Sequence, residues 1–281
     1  MAASEVRVDS IGIVQFSITD VEFERFRKLI YELAGISLSD AKRSLVVSRL
    51  SKRLRHHGLT KFMDYYRMIT DGGNIGEQQI MVDLLTTNET YFFREPKHFE
   101  LLEEIARSHQ SWSTPFRVWS AAASSGEEGY TIAMVLDNVI GDKPWEVLGT
   151  DISTRVLEAA RLGLYTEQRT SRIPSNYLYK YCLKGVRSQQ GMVLVDKKLR
   201  DKVTFKHMNL LSEWGHMGEF DVIFLRNVMI YFDLETKQKL VNKISSQLKQ
   251  GGYFLIGHSE SLNGLHHTLE TVQPSVYRKK V

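Results

Sequence analysis

The sequence holds a single cysteine, Cys182, in 281 residues. That excludes an internal disulfide framework and a cysteine-rich metal site. No apolar run approaches the ~20 residues that a bilayer span needs, so no membrane insertion is expected. The opening MAASEVRVDS has neither the basic nor the apolar region of a signal peptide. A reduced, soluble, cytoplasmic protein is the simplest expectation. There is no G-x-x-x-x-G-K-S/T phosphate loop. The nine histidines show no H-E-x-x-H or other ligand spacing, so no metal is expected. No credible Ser-His-Asp or Cys-His arrangement is present, and Gly257-His-Ser-Glu-Ser261 fails the G-x-S-x-G elbow at its last position. Charge of one sign is not in great excess either. A formal net charge of +4 does not by itself imply nucleic acid.

What the chain does have is VWSAAASSGEEGYTIAM at 118–134. An apolar, strand-like entry, Val118 and Trp119, runs into small residues from Ser120 to Gly126. Glu127 and Glu128 follow, then Tyr130, Ile132, Ala133, Met134 and Leu136 in a helical pattern. A strand feeding a small-residue turn and a helix is where α/β proteins hold nucleotide-like ligands. Backbone groups approach a ligand only where side chains are short. This turn carries two acids and no lysine, so it repels a pyrophosphate and suits a cationic ligand. S-adenosylmethionine, with its sulfonium and ammonium groups, fits. Taken alone, the stretch also allows an ordinary strand–turn–helix with exposed acids.

Before this turn the chain reads as helices. Residues 1–16 form a loose, flexible tail, and 17–86 a helical N-terminal domain. Thr19 or Asp20 caps a first helix whose apolar positions are Phe23, Phe26, Leu29, Ile30 and Leu33, ended by Gly35. A second helix, from Asp40 to His57, is basic, with Lys42, Arg43, Arg49, Lys52, Arg53 and Arg55 and no acid after Asp40. Lys42, Arg49 and Arg53 share one face, and Val46, Leu50 and Leu54 another. A one-signed face reads as a docking surface for an acidic partner. A solvated face is the alternative. Third and fourth helices cover about 60–70 and 77–86.

From 87 to 281 strand and helix alternate. Glu146 to Asp151 is a strand ending in an acid, placed where a Rossmann-like sheet binds ribose hydroxyls. Residues 163–203 break the rhythm. The strand-like runs 191–195 and 203–206 suggest a small antiparallel insertion, at about 166–206. Tyr177, Tyr179 and Tyr181 read as a packed face, and His207 and His258 as structural. Strand 220–225 opens into Arg226-Asn-Val-Met-Ile-Tyr231. Helix 234–249 and strand 252–256 follow, and a last strand closes near Val276.

Six stretches then carry a resemblance: TTNETYFFRE (86–95), VWSAAASSGEEGYTIA (118–133), GTDIS (149–153), NLL (209–211), LRNVMIYF (225–232) and GGYFLIGHSE (251–260). In this order they resemble the CheR family of chemotaxis receptor methyltransferases, over roughly 17–278. Gly129 departs from the proline usual in the family after the second acid. The resemblance implies a class I S-adenosylmethionine-dependent, Rossmann-like α/β domain with a small antiparallel β-subdomain, preceded by an all-α domain. It implies methyl esterification of glutamates on chemoreceptor cytoplasmic helices, with S-adenosylhomocysteine as product, by a protein-glutamate O-methyltransferase. The family's cofactor contacts carry over to Asn88, Thr90, Arg94, Glu128, Asp151, Asn209, Leu210, Arg226 and Asn227. In some members the edge strand of the β-subdomain captures a receptor's C-terminal pentapeptide. The loop from Gly185 to Gly191 resembles the version found in those members. The partners expected are therefore methyl-accepting chemotaxis proteins, met by a monomer.

The chemistry agrees with the missing catalytic base. A glutamate acceptor, with a reference pKa of about 4.3, is already ionised at neutral pH. The enzyme's task is alignment and exclusion of water. Arg94, orienting the acceptor carboxylate, and Tyr231 are placed near the transfer point. Glu128 is assigned to the methionine ammonium or an adjacent part of the cofactor, and Asp151 to the ribose. Lys42, Arg49, Lys52, Arg53 and Arg55 are the docking candidates. A nucleic-acid methyltransferase and a non-catalytic cofactor-binding adaptor are the alternatives. Cys182, in the inserted segment, reads as an inert thiol.

Overall fold

In the computed structural model the described residues are 7–8, 14–72, 74–109 and 113–280. They form two units, one of residues up to 87 together with 231–233, the other of 88–230 and 234–281.

In the helical unit, β1 (Arg7–Val8) pairs antiparallel with β2 (Val14–Gln15). The rest of the expected tail up to Ile13 lies outside the described residues. The helices are α1 (Asp20–Ala34), α2 (Arg43–His56), α3 (Phe62–Thr70) and α4 (Ile75–Leu85). Thr19 caps α1 through a capping box. Its hydroxyl accepts the Glu22 N–H while Glu22 accepts the Thr19 N–H at 2.9 Å. The other Glu22 oxygen accepts the Met63 N–H, so one acid ties the starts of α1 and α3 together. Gly35, at φ +68°, closes α1 in the left-handed region. Phe23, Phe26, Ile30, Val46, Leu50, Leu54, Phe62 and Tyr65 are fully buried, as the apolar spacing predicts.

The second unit is built on a seven-stranded sheet. Its strands are β3 (Phe116–Ser120), β4 (Trp145–Asp151), β8 (Val203–His207), β9 (Phe220–Leu225), β10 (Leu248–Ile256), β11 (Glu270–Gln273) and β12 (Val276–Arg278). The order is β11-β12-β10-β9-β3-β4-β8. The pairings from β8 through β10 are parallel, and β12 joins β10 antiparallel. Chain order reverses at β3, between β4 and β9. That is the topological switch point where such sheets bind ligands beyond the strands' carboxyl ends. The central strands are near-continuously apolar because both faces are covered. Trp119 is fully buried, and its indole N–H donates to Thr150 Oγ1 at 2.9 Å.

The helices α5 (Lys97–Ser108), α6 (Glu127–Ile140), α7 (Thr154–Leu162) and α11 (Leu234–Ser246) accompany this sheet. The last of these, α11, stops three residues short of the expected 249. A small three-stranded antiparallel sheet follows α7, in the order β5 (Leu164–Thr166), β7 (Met192–Val195), β6 (Cys182–Lys184). Short helices α8 (Glu167–Thr170), α9 (Ser175–Tyr181) and α10 (Lys197–Arg200) connect it. One expectation is corrected here. Val203–His207 is no part of the insertion. It pairs parallel with β4 and forms an edge of the main sheet.

Candidate active site

The carboxyl ends of five parallel strands collect the residues that the motifs singled out. Beyond β3, the turn Ser120–Gly126 is stabilised from its neighbours. Asp151, at the end of β4, accepts the Ser124 N–H at 2.9 Å and, on its other oxygen, the Ser153 N–H at 2.9 Å. Ser124 sits at φ +48°, and its hydroxyl donates to the Asn88 carbonyl at 3.1 Å. Gly126, at φ +95°, is required for a second reason. A Cβ there would lie 2.9 Å from the Ala160 Cβ.

The two acids that start α6 are both paired with arginines. Glu127, fully buried, forms an ion pair with Arg169 and accepts from Ser125 Oγ at 2.8 Å. Burial pushes its carboxyl above the usual range in spite of the guanidinium. Glu128 accepts from Ser120 Oγ at 2.6 Å and from Arg226 Nε at 2.8 Å. The turn is therefore not a bare anionic tip, because each of its two acids meets an arginine from elsewhere in the chain. Its charges are balanced inside the protein, and the remaining lone pairs provide direction.

Arg226, following β9, is the hub. Besides Glu128 it donates to the Arg94 carbonyl at 2.7 Å and to His98 Nδ1 at 3.0 Å, and it lies 3.5 Å from Glu95. His98 Nδ1 accepts, so the proton is on Nε2, 3.0 Å from Ser275 Oγ, whose own hydroxyl proton goes to the Pro274 carbonyl. Burial, then the Arg226 charge, pushes the imidazole down to about 4. Glu95, His98 and His258 offer ligand atoms within 4.8 Å of one another, but the cation among them is Arg226.

Asn227 takes φ +58°. Its N–H donates to Glu260 at 2.8 Å, and its side-chain amide donates to Glu95 at 3.3 Å. With the amide nitrogen so engaged, Oδ1 is the end left to accept from a ligand. Glu260 also accepts the N–H groups of Gly257 and Met229, each at 2.7 Å. Burial raises its carboxyl against these donors. Gly257 allows this approach, since a Cβ there would meet Asn227 Nδ2 at 2.5 Å. Glu95 and Glu260 lie inside quoted motifs, yet sequence reasoning gave them no role.

The remaining candidates fall as follows. Asn209 follows β8 and folds its Oδ1 onto the Leu211 N–H at 2.9 Å, beside buried Leu210. Thr90 is half-buried. Arg94 donates to the Glu89 carbonyl at 2.9 Å and stacks on Tyr91. Tyr231 groups with the helical unit, where its carbonyl accepts the Ser37 N–H at 2.9 Å. Of the five docking candidates, two are engaged within the helical unit. Arg49 caps the end of α4 through the Leu84 and Thr86 carbonyls. Arg53 forms a two-point ion pair with buried Glu77, at 2.7 and 2.6 Å. Lys42, Lys52 and Arg55 are exposed.

This donor set suits a nucleoside that carries hydroxyls and a charged amino-acid tail. Asp151 accepts, Asn227 Oδ1 accepts, and small residues line the turn. Ser153 Oγ, fully buried next to Asp151, has no hydrogen-bond partner among the described residues.

The family models agree with the geometry. Residues 88–278 match the CheR methyltransferase SAM binding domain, and residues 21–86 match the CheR methyltransferase all-alpha domain. Chemotaxis protein methyltransferase 2 of Pseudomonas aeruginosa is 41% identical over 269 residues, covering 95% of both chains. The chemotaxis protein methyltransferase of Escherichia coli is 41% identical over 266 residues, covering 94% of this chain and 92% of its own. That of Borreliella burgdorferi is 40% identical over 282 residues, covering 95% and 96%. The chain belongs to the CheR methyltransferase family, with S-adenosylmethionine as its cofactor.

Proposed function

We propose that this chain esterifies glutamate side chains on the cytoplasmic helices of chemoreceptors, as a protein-glutamate O-methyltransferase of sensory adaptation. When bound, S-adenosylmethionine supplies a methyl group on a sulfonium. The observation that carries the reading is the Asp151, Glu128 and Asn227 constellation at the switch point. Asp151 would accept from the ribose hydroxyls. Asn227 Oδ1 and the free lone pairs of Glu128 would accept from the ammonium. Asn88, Thr90, Asn209 and Leu210 would complete the contacts.

Arg94 is assigned to orient the acceptor carboxylate by a charge-assisted bond, and Tyr231 to act at the transfer point. The acceptor arrives ionised, so no residue has to remove a proton from it. Alignment of two bound groups can supply about 7–11 kcal/mol of the barrier.

Lys42, Lys52 and Arg55 form the receptor-docking face, with Arg49 and Arg53 supporting it from within. Among the described residues the strand β6 has one neighbour in its sheet, and Leu183 on it and nearby Val186 are exposed. A receptor's C-terminal pentapeptide would add there as a further strand. The working form is a monomer in the cytoplasm. The test is methyl incorporation into receptor fragments. Esters are released by mild alkali, whereas methylated bases and amines resist it. Alkali-stable label would reject glutamate as the acceptor.

A further inference from the structure

Tyr91 carries two cations. The Arg172 guanidinium lies over its ring at 4.0 Å, and that of Arg94 at 5.6 Å. The two guanidiniums are thus within about 10 Å of each other, a separation at which salt screens like charges only partly. Residues next to Tyr91 and Arg172 are anchored in the core. Phe92, fully buried, packs edge-on against Tyr165 at 5.0 Å. Thr170 and Ile173 are buried on either side of Arg172 and anchor its turn. Arg172 itself is exposed, and among the described residues it has no acid and no hydrogen-bond partner. Its neighbour Arg169, in contrast, is spent on Glu127.

We propose that Arg172, held on Tyr91, is a specificity residue that binds a second carboxylate of the substrate while Arg94 orients the first. This rests on the reading of the acceptor as a glutamate on a helix. Helix residues three or four apart hold their Cβ atoms about 5–6 Å from each other. Two acids so spaced, reaching outwards, can meet both guanidiniums. The occupant is therefore an acidic helix with a carboxylate one turn from the methylated glutamate. A stacked guanidinium is pre-organised for such a bond, which a lysine would not reproduce.

The test compares two helical peptides with the same central glutamate, whose own methylation is read by tandem mass spectrometry. One has Glu, the other Gln, four residues to either side. The full chain and Arg172→Ala are assayed for kcat and KM with each, and for S-adenosylhomocysteine affinity by calorimetry. The wild type is expected to favour the Glu-flanked peptide about fivefold in kcat/KM, chiefly through KM. Arg172→Ala should erase that preference with cofactor affinity unchanged. Arg172→Glu should favour a peptide with flanking Lys, a reversal that mere structural damage would not produce. Retention of the preference by Arg172→Ala would overturn the proposal, as would a parallel loss of cofactor affinity. A wild type that binds S-adenosylhomocysteine yet methylates neither peptide would instead sink the glutamate reading beneath it.

Discussion

Glu260 holds Asn227 by its backbone: the carboxylate accepts the Asn227 N–H at 2.8 Å, in a residue whose φ is +58°. The same oxygen accepts from Gly257, and the other from Met229. A carboxylate can serve these donors at once, and a carboxamide cannot. Glu260→Gln must turn an NH2 group toward at least one backbone N–H. The variant is expected to lose about 2 kcal/mol of stability, read by urea denaturation. Because Asn227 moves with its backbone, S-adenosylhomocysteine affinity should fall about tenfold.

Arg226 neutralises Glu128 in a buried setting, and Arg226→Met leaves that acid without a cation. Removing one partner of a buried pair typically costs about 3–5 kcal/mol. Adding Glu128→Gln to Arg226→Met should recover a good part of that loss. Equal denaturation midpoints for the single and double variants would argue that the pair is not coupled.

Asp151 holds the Ser124 and Ser153 N–H groups and, in the function proposed above, would also accept from the ribose. Asp151→Ala is expected to weaken S-adenosylhomocysteine binding by about one to two orders of magnitude, the size of a lost charged hydrogen bond. Calorimetry on both proteins checks this. Unchanged affinity would place the ribose elsewhere.

The buried His98 makes stability depend on pH. Its folded value is about 4, against 6.5 for the free side chain. A lowered value means that the unfolded chain takes up the proton first. The stabilisation is therefore complete above 6.5 and is lost as pH falls toward 4. Histidine-resolved NMR titration should find one imidazole still neutral at pH 5. His98→Gln should flatten this part of the pH–stability curve.

The parallel sheet was legible because its central strands are short apolar runs that end in small or acidic residues, as in Val118 to Ser120 and Val147 to Asp151. Val203–His207 was misassigned because it alternates buried and exposed residues, the pattern of a half-solvated strand. An edge strand of a parallel sheet shows the same alternation. Pairing across long separations left no local trace. Glu128 and Arg226 are 98 residues apart, and Glu127 and Arg169 are 42 apart. A helical-face argument also treats every cation on the polar side as solvated. Arg49 and Arg53 instead reach partners on α4 that only the tertiary fold provides.

The Arg169–Glu127 pair has an engineering consequence. Tyr165 donates to the Ser125 carbonyl at 2.7 Å, and Arg169 grips Ser125 Oγ at 2.7 Å, so the stretch from β5 to α8 is bolted to the loop after β3. Residues 164–195 are thus no exchangeable cassette. A chimera that imports this stretch from a homologue without an arginine at the matching place would strand Glu127 in the interior with no counter-ion. Successful swaps must carry positions 125 and 127 along as passengers.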